Sequence, residues 1–284
     1  MWRFLNTGAA EAALNMAIDE AVMRACRRTE APPTVRVYAW RPPAVSFGYA
    51  QQVEHEIDLR LCRLSGLSVV RRPTGGRVVL HDEELTYSLI VPESHPAIGT
   101  SPYETYRIAS EALVNGLRRL GVDGDLARPP LSSSRSGTAG ICFSSASRFE
   151  IIVDGRKLVG SAQRRTAGMV LQHGSLLLGP GHKRLPFLLP EGFEAQRETL
   201  IAELEERTTS MAELLGRPVS FDEMAEMVRL GFEERLGVTF SDAGLTPVER
   251  EEAERLVAEK YGTEAWNLEG KVHTEGRFTN RSSV

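Results

Sequence analysis

The chain has 284 residues, of which 42% are hydrophobic and 25% charged, as expected for one large globular domain with or without a small appendage. Its formal net charge of −4 excludes a global attraction to nucleic acid or to an anionic membrane surface. The N-terminus lacks a signal-peptide pattern, and no apolar run is long enough to span a bilayer. We therefore expect a cytoplasmic protein with no nucleic-acid and no membrane partner.

The three cysteines, Cys26, Cys62 and Cys142, are an odd and widely spaced set with no C-x-x-C pair. Such spacing favours neither a disulfide framework nor a zinc site. The sequence therefore predicts reduced thiols, no bound metal and no cofactor.

The first quarter of the chain alternates helical and strand patterns. Apolar residues at helical spacing predict a helix over 9–28, which "APPT" ends. Two short β-rich runs at 35–40 and 44–50 follow, separated by a proline turn. Helical spacing returns over 54–66 and stops at a glycine.

The middle of the chain is β-rich. Residues 67–92 contain three strand-like runs that break at 73–76 and at 82–84. A regular apolar period predicts a helix over 102–120. The Pro-, Ser- and Gly-rich stretch 128–140 has no apolar period, so we predict a long mobile loop there, and long loops in compact domains are often functional.

The last part of the chain is first β-rich and then helical. "SRFEIIVDGRKLVGSAQRRT" predicts a hairpin with Asp154-Gly155 in its turn, and 168–179 predicts a third strand. Charged helices are expected near 195–206, 221–236 and 246–260. Hairpin-connected strands mixed with helices indicate an α+β fold with mixed, mostly antiparallel sheets flanked by helices.

The segment "RRPTGGRVVLHD" is the first candidate for a binding site. Gly75 and Gly76 allow the backbone to approach a ligand closely, while Arg72 and Arg77 add local positive charge. The spacing and the missing lysine exclude a Walker phosphate-binding loop. The alternative is a glycine turn with solvated arginines, and His81 by itself favours a hydrogen-bonded structural histidine.

Cys142 and Lys157 are the second candidate, because a lysine ammonium lowers the pKa of a nearby thiol and can relay protons. The turn at 154–155 pairs Lys157 near Ile152 rather than near Cys142. Contact between the two side chains would therefore require the preceding loop to fold back over the sheet. The alternative is that Cys142 is a small buried residue, as expected for Cys26 and Cys62 on amphipathic helices.

The third candidate is "LQHGSLLL", where His173, Gly174 and Ser175 interrupt an apolar strand. A glycine at this position indicates either a bulge or the close approach of a ligand. Cys142 and His173 do not have the spacing of a papain-like protease.

Together these segments resemble the bacterial octanoyltransferases of lipoate synthesis, Gram-positive type, within the biotin and lipoate protein ligase superfamily. The resemblance extends over nearly the whole chain and is carried by the stretches "WRFLNTG", "ALNMAIDEA", "RRPTGGRVVLHDEELTYSLIV", "ICF", "GRKLVGSAQRR", "LQHGSLLL" and "KYGTEAWN". A cysteine fifteen positions before the lysine of K-L-V-G-S-A is typical of the transferase branch rather than the ligases.

The resemblance implies a mechanism in two transfers. Cys142 would take octanoyl from octanoyl-acyl carrier protein as a thioester, and a lysine of a lipoyl-domain protein, expected to be the glycine cleavage H protein, would then attack that thioester. Lys157 would lower the pKa of the thiol and handle the proton of the incoming amine. Because a thioester is converted to an amide, no ATP is needed.

The resemblance also implies the residues of the acyl channel and the domain organisation. The substrate-binding residues would be Arg72, Thr74, Gly75, Gly76, Arg77, His81, Gly160, Ser161, Ala162, His173, Gly174 and Ser175. A ligase-like catalytic domain would occupy 1–240, followed by a helical extension and tail at 241–284, in a chain expected to be a monomer. The local arginines would form a basic rim that steers acidic carrier proteins.

Three alternatives remain open at this stage. An ATP-dependent lipoate or octanoate ligase would use Lys157 to hold an acyl-adenylate and leave Cys142 idle. An amidotransferase would move octanoyl from the H protein to other lipoyl domains. A non-catalytic acyl-binding scaffold would keep the pocket without turnover, which the presence of both Cys142 and Lys157 disfavours.

Overall fold

The computed structural model of the chain describes residues 1–127 and 150–270, together with the backbone of two short strands beyond residue 272. The strands, in chain order, are β1 (Trp2–Ala10), β2 (Thr34–Trp40), β3 (Ala44–Phe47), β4 (Ser68–Arg71), β5 (Val79–His81), β6 (Glu84–Pro92), β7 (Asp125–Leu126), β8 (Ile151–Val153), β9 (Arg156–Thr166), β10 (Met169–Leu177), β11 (Phe240–Asp242), β12 (His273–Thr274) and β13 (Arg277–Phe278). The α-helices are α1 (Ala12–Arg27), α2 (Leu59–Leu64), α3 (Pro102–Arg118), α4 (Glu194–Arg207), α5 (Met211–Leu215), α6 (Phe221–Leu236), α7 (Pro247–Leu256) and α8 (Glu264–Asn267). Short 3₁₀ segments lie at Val53–His55, Pro96–Ile98 and Gly181–Leu188, and a π turn lies at Val257–Tyr261.

One large sheet and one small sheet organise the protein. The large sheet has the strand order β11-β1-β2-β6-β10-β9-β8-β7, and the small sheet has the order β4-β3-β5. β1 is parallel to both of its neighbours and β3 is parallel to β4, while the other pairs of these two sheets are antiparallel. The predicted α+β fold with mixed, mostly antiparallel sheets and flanking helices is therefore confirmed.

Helices cover both faces of the large sheet, because side chains alternate along each strand. On β6, Ser88 donates a hydrogen bond to Asp19 of α1, whereas Tyr87 faces α6 and has its ring 6.1 Å from that of Phe232. The face with α3 and α6 is a continuous apolar core. The face with α1 is the one on which polar side chains gather.

The N-terminal helix begins later than predicted. Residues 9 and 10 belong to β1, a strand that the sequence analysis missed, and α1 begins at Ala12. The reason is non-local: β1 pairs with β2 and with β11, more than two hundred residues away along the chain. Local helix propensity of the alanines is overridden by these tertiary pairings.

Two other helices are shorter than predicted. The helix expected over 54–66 covers only α2, because the Asp58 side chain accepts hydrogen bonds from the backbone of Arg60 and Leu61 and so caps the helix there. The helix expected over 102–120 ends at Arg118 and begins at a capping box of Ser101 and Glu104. The strands expected within 67–92 are present as β4, β5 and β6.

The segment after residue 240 is packed against the first elements of the chain. Arg3 of β1 forms an ion pair with Glu249 of α7 at 2.6 Å, and Trp266 of α8 donates its indole hydrogen bond to the carbonyl of Arg71 at 2.9 Å. The division at residue 240 into a catalytic domain and an extension stays a prediction. The predicted loop at 128–140 and Cys142 lie outside the described residues.

Candidate active site

A cavity of about 230 Å³ lies between α1, the small sheet and the α1-facing side of the large sheet. All of the predicted acyl-channel residues except Thr74 and Gly75 line it, namely Arg72, Gly76, Arg77, His81, Gly160, Ser161, Ala162, His173, Gly174 and Ser175. The structure thus brings together residues from three segments, and the outermost residues, Arg72 and Ser175, are more than a hundred positions apart in the sequence. Their role in binding remains a prediction.

The glycine segment folds around the buried Arg72 guanidinium. Arg72 is 4% exposed, and it donates hydrogen bonds to Ser46 Oγ at 3.0 Å and to the carbonyls of Gly75 and Arg77 at 2.9 and 2.7 Å. Gly76 has a φ of +96°, and a Cβ there would lie 2.7 Å from the Arg72 Nη2 atom. The interpretation of Arg72 as a solvated surface arginine is therefore wrong, and glycine at 76 is required by both its φ and the close approach of Arg72.

His81 is hydrogen-bonded through both ring nitrogens. Its Nε2 lies 2.7 Å from Ser46 Oγ and its Nδ1 lies 2.8 Å from Glu84 Oε1. The ring also stacks on Trp40 with centroids 4.0 Å apart. The histidine therefore forms part of the cavity wall with its ring orientation fixed.

His173 connects the glycine segment to α1. Its Nε2 lies 2.6 Å from Thr74 Oγ1, and its Nδ1 lies 3.5 Å from Asp19 Oδ2. Burial lowers the pKa of His173, and the Asp19 carboxylate offsets only part of this effect. Thr74 thus does not line the cavity itself but is hydrogen-bonded to His173, which does.

Asp19 forms a buried ionic network that the sequence analysis did not predict. The carboxylate is fully buried and accepts hydrogen bonds from Arg36 at 2.6 Å, Tyr38 at 3.0 Å and Ser88 at 2.9 Å. Burial alone would raise the pKa of Asp19, but the Arg36 guanidinium and His173 lower it below its usual value. Asp19 is therefore a carboxylate that anchors α1 to the sheet.

Ser175 presents an unsatisfied hydroxyl to the cavity. It is 4% exposed, and its Oγ has no hydrogen-bond partner within the part of the chain that the structure describes. A buried hydroxyl without a partner is costly. A polar atom of a bound ligand would remove that cost.

Lys157 lies at the edge of the site on β9. Ile152 of β8 pairs with Lys157, as the hairpin turn predicts, whereas Ile151 pairs with Val159, so Leu158 is an extra residue in a β-bulge. Leu158 and Val159 both belong to the apolar core on the α3 side. Lys157, paired with Ile152, therefore faces the opposite side of the sheet from Val159.

On that face the Lys157 ammonium forms an ion pair with Glu150. The Nζ to Oε1 distance is 2.8 Å, and both side chains are almost completely buried. Glu150 lines the cavity, so the pair lies at the cavity wall. Glu150 was not among the site residues predicted from the sequence, although an acidic residue immediately before the apolar run "IIV" is a signal that could have identified it.

The two described cysteines are buried, as the helix patterns indicated. Burial raises the pKa of Cys26 to about 11 and that of Cys62 to about 12. Both are therefore neutral thiols near neutral pH and poor nucleophiles. The geometry between Cys142 and Lys157 lies outside the described residues.

The described part of the chain holds neither a candidate metal centre nor a candidate membrane span. Within 1–127 and 150–270, no cluster of three or more His, Cys, Asp or Glu side chains is placed to hold a metal ion. No helix in these two ranges has the length and apolar character required to cross a bilayer.

Comparisons with known proteins show which family has this fold and this cavity. Residues 11–233 match the lipoyl protein ligase A/B catalytic domain, so the chain belongs to this family. Similar solved structures include lipoate-protein ligase A bound with ATP (27% identity, TM-score 0.75, covering 94% of this chain and 98% of that one). Another is the bipartite lipoate protein ligase with its E2 lipoyl domain from Thermoplasma acidophilum (27% identity, TM-score 0.77, covering 94% and 95%).

Within this family, the similar curated proteins carry the name of the transferase branch. Octanoyltransferase LipM of Kyrpidia tusciae is 46% identical over 94% of this chain and 98% of its own length. Octanoyltransferase LipM of Bacillus subtilis is 38% identical over 94% and 97%. The family recognised from the sequence motifs is thereby confirmed, and the chain is an enzyme of the acyltransferase class.

Proposed function

We propose that this enzyme transfers an octanoyl group from octanoyl-acyl carrier protein to a lysine of a lipoyl-domain protein in lipoate synthesis, with the glycine cleavage H protein as the expected acceptor. The observation that carries the proposal is the cavity whose wall includes Glu150, the ion-pair partner of the buried Lys157. Relatives that match this chain over nearly their full length are named octanoyltransferases. The similar ligase from Thermoplasma, which acts with an E2 lipoyl domain of its own system, supports an acceptor of that class.

The first transfer forms an acyl-enzyme. The Cys142 thiolate attacks the thioester carbonyl, a new bond forms between Sγ and C1 of octanoyl, and the bond from C1 to the carrier sulfur breaks. The departing thiolate takes a proton from the Lys157 ammonium and leaves as a thiol. One thioester replaces another, so the step has little net free-energy change.

The second transfer forms the product. The acceptor lysine amine attacks C1, the C1–Sγ bond breaks, and Cys142 is released as the thiolate. The Lys157 amine takes the surplus proton of the acceptor nitrogen, so the ammonium is regenerated. The amide is more stable than the thioester, so the reaction is balanced without ATP.

The cavity suits an acyl chain because small residues of β9 and β10 form one of its walls. Each methylene buried there contributes about 0.8 kcal/mol. The unpartnered hydroxyl of Ser175 offers a hydrogen bond to a polar atom of the acyl donor. Gly160, Ser161 and Ala162 leave room between β9 and α1, since none has a large side chain.

The test is a single-turnover acylation. We expect purified protein incubated with octanoyl-acyl carrier protein, without ATP, to gain one octanoyl group that hydroxylamine removes. Cys142→Ser should lack this adduct, while Cys62→Ser should keep it because Cys62 is a buried neutral thiol. Intact-protein mass spectrometry measures all three.

The ATP-dependent ligase is the second candidate, since ligases of 27% identity share the fold and one of them was solved with ATP. A ligase would gain no octanoyl group from octanoyl-acyl carrier protein. It would acylate the acceptor only when free octanoate and ATP are supplied. A protein that instead accepts octanoyl only from octanoyl-H protein would be an amidotransferase. The same mass measurement, repeated with each donor, separates the three.

A further inference from the structure

The ion pair of Glu150 and Lys157 is buried, although removing charged groups from water is unfavourable. Their side chains are 3% and 2% exposed and their charged atoms are 2.8 Å apart. Removing two charges from water costs several kcal/mol each, which a well-packed apolar pair would avoid. An ion pair at the wall of a substrate cavity therefore calls for a role in the reaction rather than in stability.

The backbones of both residues are fixed from outside the pair. The carbonyl of Glu150 accepts a hydrogen bond from Ala127 N at 2.8 Å, and the carbonyl of Lys157 accepts one from Thr209 N at 3.0 Å. Because the backbones are held in place, the two side chains meet without a rearrangement of the hairpin.

The hairpin pairing places both side chains on the same face of the sheet. Glu150 and Ile152 are two positions apart along the chain and share a face, and Ile152 is paired with Lys157. The bulge at Leu158 lets Val159 pair with Ile151 and join the apolar core on the other face while Lys157 keeps its pairing with Ile152. The ammonium therefore meets the carboxylate without exposing the core side chains that follow it.

We propose that Glu150 is a positioning residue, whose carboxylate holds the Lys157 amine in an ion pair and orients it toward the cavity. The inference rests on the proposed function, in which Lys157 gives a proton to the departing carrier thiol and recovers one from the acceptor amine. The ammonium is required before the first transfer and forms again in the second. The ion pair with Glu150, with a distance of 2.8 Å between the charged atoms, holds the ammonium in the same place on both occasions.

The test compares two substitutions that separate charge from shape. Glu150→Gln keeps the size and an oxygen that can accept a hydrogen bond from Lys157 but removes the charge, whereas Glu150→Asp keeps the charge on a shorter side chain. We expect Glu150→Gln to slow acyl transfer by about 10- to 100-fold, the range found when a carboxylate that orients a metal-binding side chain is removed. Glu150→Asp should recover part of the rate, measured as octanoylated acceptor per unit time.

A matched control and a second background make the result specific. Glu249→Gln removes a buried carboxylate that pairs with Arg3 at 2.6 Å, away from the cavity, and should leave the rate per folded molecule unchanged. In a Lys157→Met background, Glu150→Gln should have no further effect, because the group it acts through is gone. Thermal unfolding of every variant shows that the comparison is made between folded proteins.

Two outcomes would overturn the role of Glu150. If Glu150→Gln transfers octanoyl at the wild-type rate, the charge of Glu150 is not used in the reaction. If Glu150→Gln and Glu150→Asp lose equal fractions of the transfer rate, and these losses follow their losses of thermal stability, the carboxylate is purely structural. Wild-type protein that acylates the acceptor only with ATP refutes the proposed transferase reaction instead. The order of the Glu150 variants, measured in that ATP-dependent reaction, would still decide whether Glu150 positions Lys157.

Discussion

Two buried ion pairs lie on the same face of the large sheet, and they differ in what their cations can do. Arg36 and Asp19 are fully buried, and neither lines the cavity. Lys157 and Glu150 are nearly as buried, but Glu150 faces the cavity. An arginine stays protonated at any physiological pH, whereas a lysine can release its proton. We therefore propose that the first pair holds the fold and the second carries chemistry.

We expect the largest effect on activity from a substitution that breaks the Lys157–Glu150 pair. We expect Lys157→Ala to reduce octanoyl transfer by about 10² to 10⁴-fold, the usual contribution of a positioned proton-transfer group. Because this change leaves Glu150 as a buried charge, Lys157→Ala combined with Glu150→Gln should regain stability without regaining activity. Lys183→Ala, which removes a lysine paired with Glu205, is the control and should remain active in the same acceptor assay. Normal transfer by the Lys157 variant would remove this lysine from the mechanism.

We expect the second largest effect, on stability, from a substitution that breaks the Arg36–Asp19 pair. Arg36→Met leaves the buried Asp19 carboxylate without its guanidinium, which should lower the free energy of unfolding by about 3 to 5 kcal/mol. Denaturant unfolding measures it, with Arg255→Met as the control, because the exposed Arg255 pairs should contribute no more than about 1 kcal/mol. If Arg36→Met instead left stability intact and reduced the transfer rate of the folded protein, the assignment of the two pairs to fold and chemistry would be wrong.

The smallest expected effect is a pH dependence of stability that comes from His182. The His182 Nε2 atom lies 2.8 Å from Thr208 Oγ1. Burial, together with the charge of Lys183, lowers the pKa of His182 from 6.5 to about 4. Between those values the unfolded chain binds a proton that the folded protein does not, so stability present above pH 6.5 is lost as the pH falls toward 4. The loss should reach roughly 3 kcal/mol.

His182→Gln removes this titration while it keeps a group that can bond to Thr208. Its free energy of unfolding should therefore fall less steeply than that of the wild-type protein between pH 6.5 and 4.5, as measured by denaturant titration at each pH. Identical slopes for the two proteins would show that His182 does not titrate as its burial implies.

The sequence predicted the elements that depend on local patterns. The hairpin turn at Asp154-Gly155, the pairing of Lys157 with Ile152 and the helices α4, α6 and α7 all follow from short-range periodicity and turn residues, whereas the short helices α5 and α8 were not predicted. Ten of the cavity-lining residues were named in advance from motifs of the family. These motifs are local in sequence, so they were visible without the fold.

Features that depend on non-local contacts were missed. β1 exists because it pairs with β2 and β11, and the bulge at Leu158, which puts Lys157 and Val159 on opposite faces of the sheet, was not predicted. Asp19 could have been found, because it lies seven positions after Ala12 and three after Met16, on the apolar face of the predicted helix. A charge on a buried helix face signals a partner elsewhere in the fold.

Leu158 separates the length of β9 from the placement of its lysine. Deleting Leu158 would leave Lys157 paired with Ile152 and Val159 paired with Ile151 in a regular hairpin, so the amine would still face Glu150 and the apolar core would lose one side chain. A chain of this family that is one residue shorter here could therefore keep a working lysine. For this stretch, a substitution of Lys157 or Glu150 is a stronger warning of lost activity than a gap in an alignment.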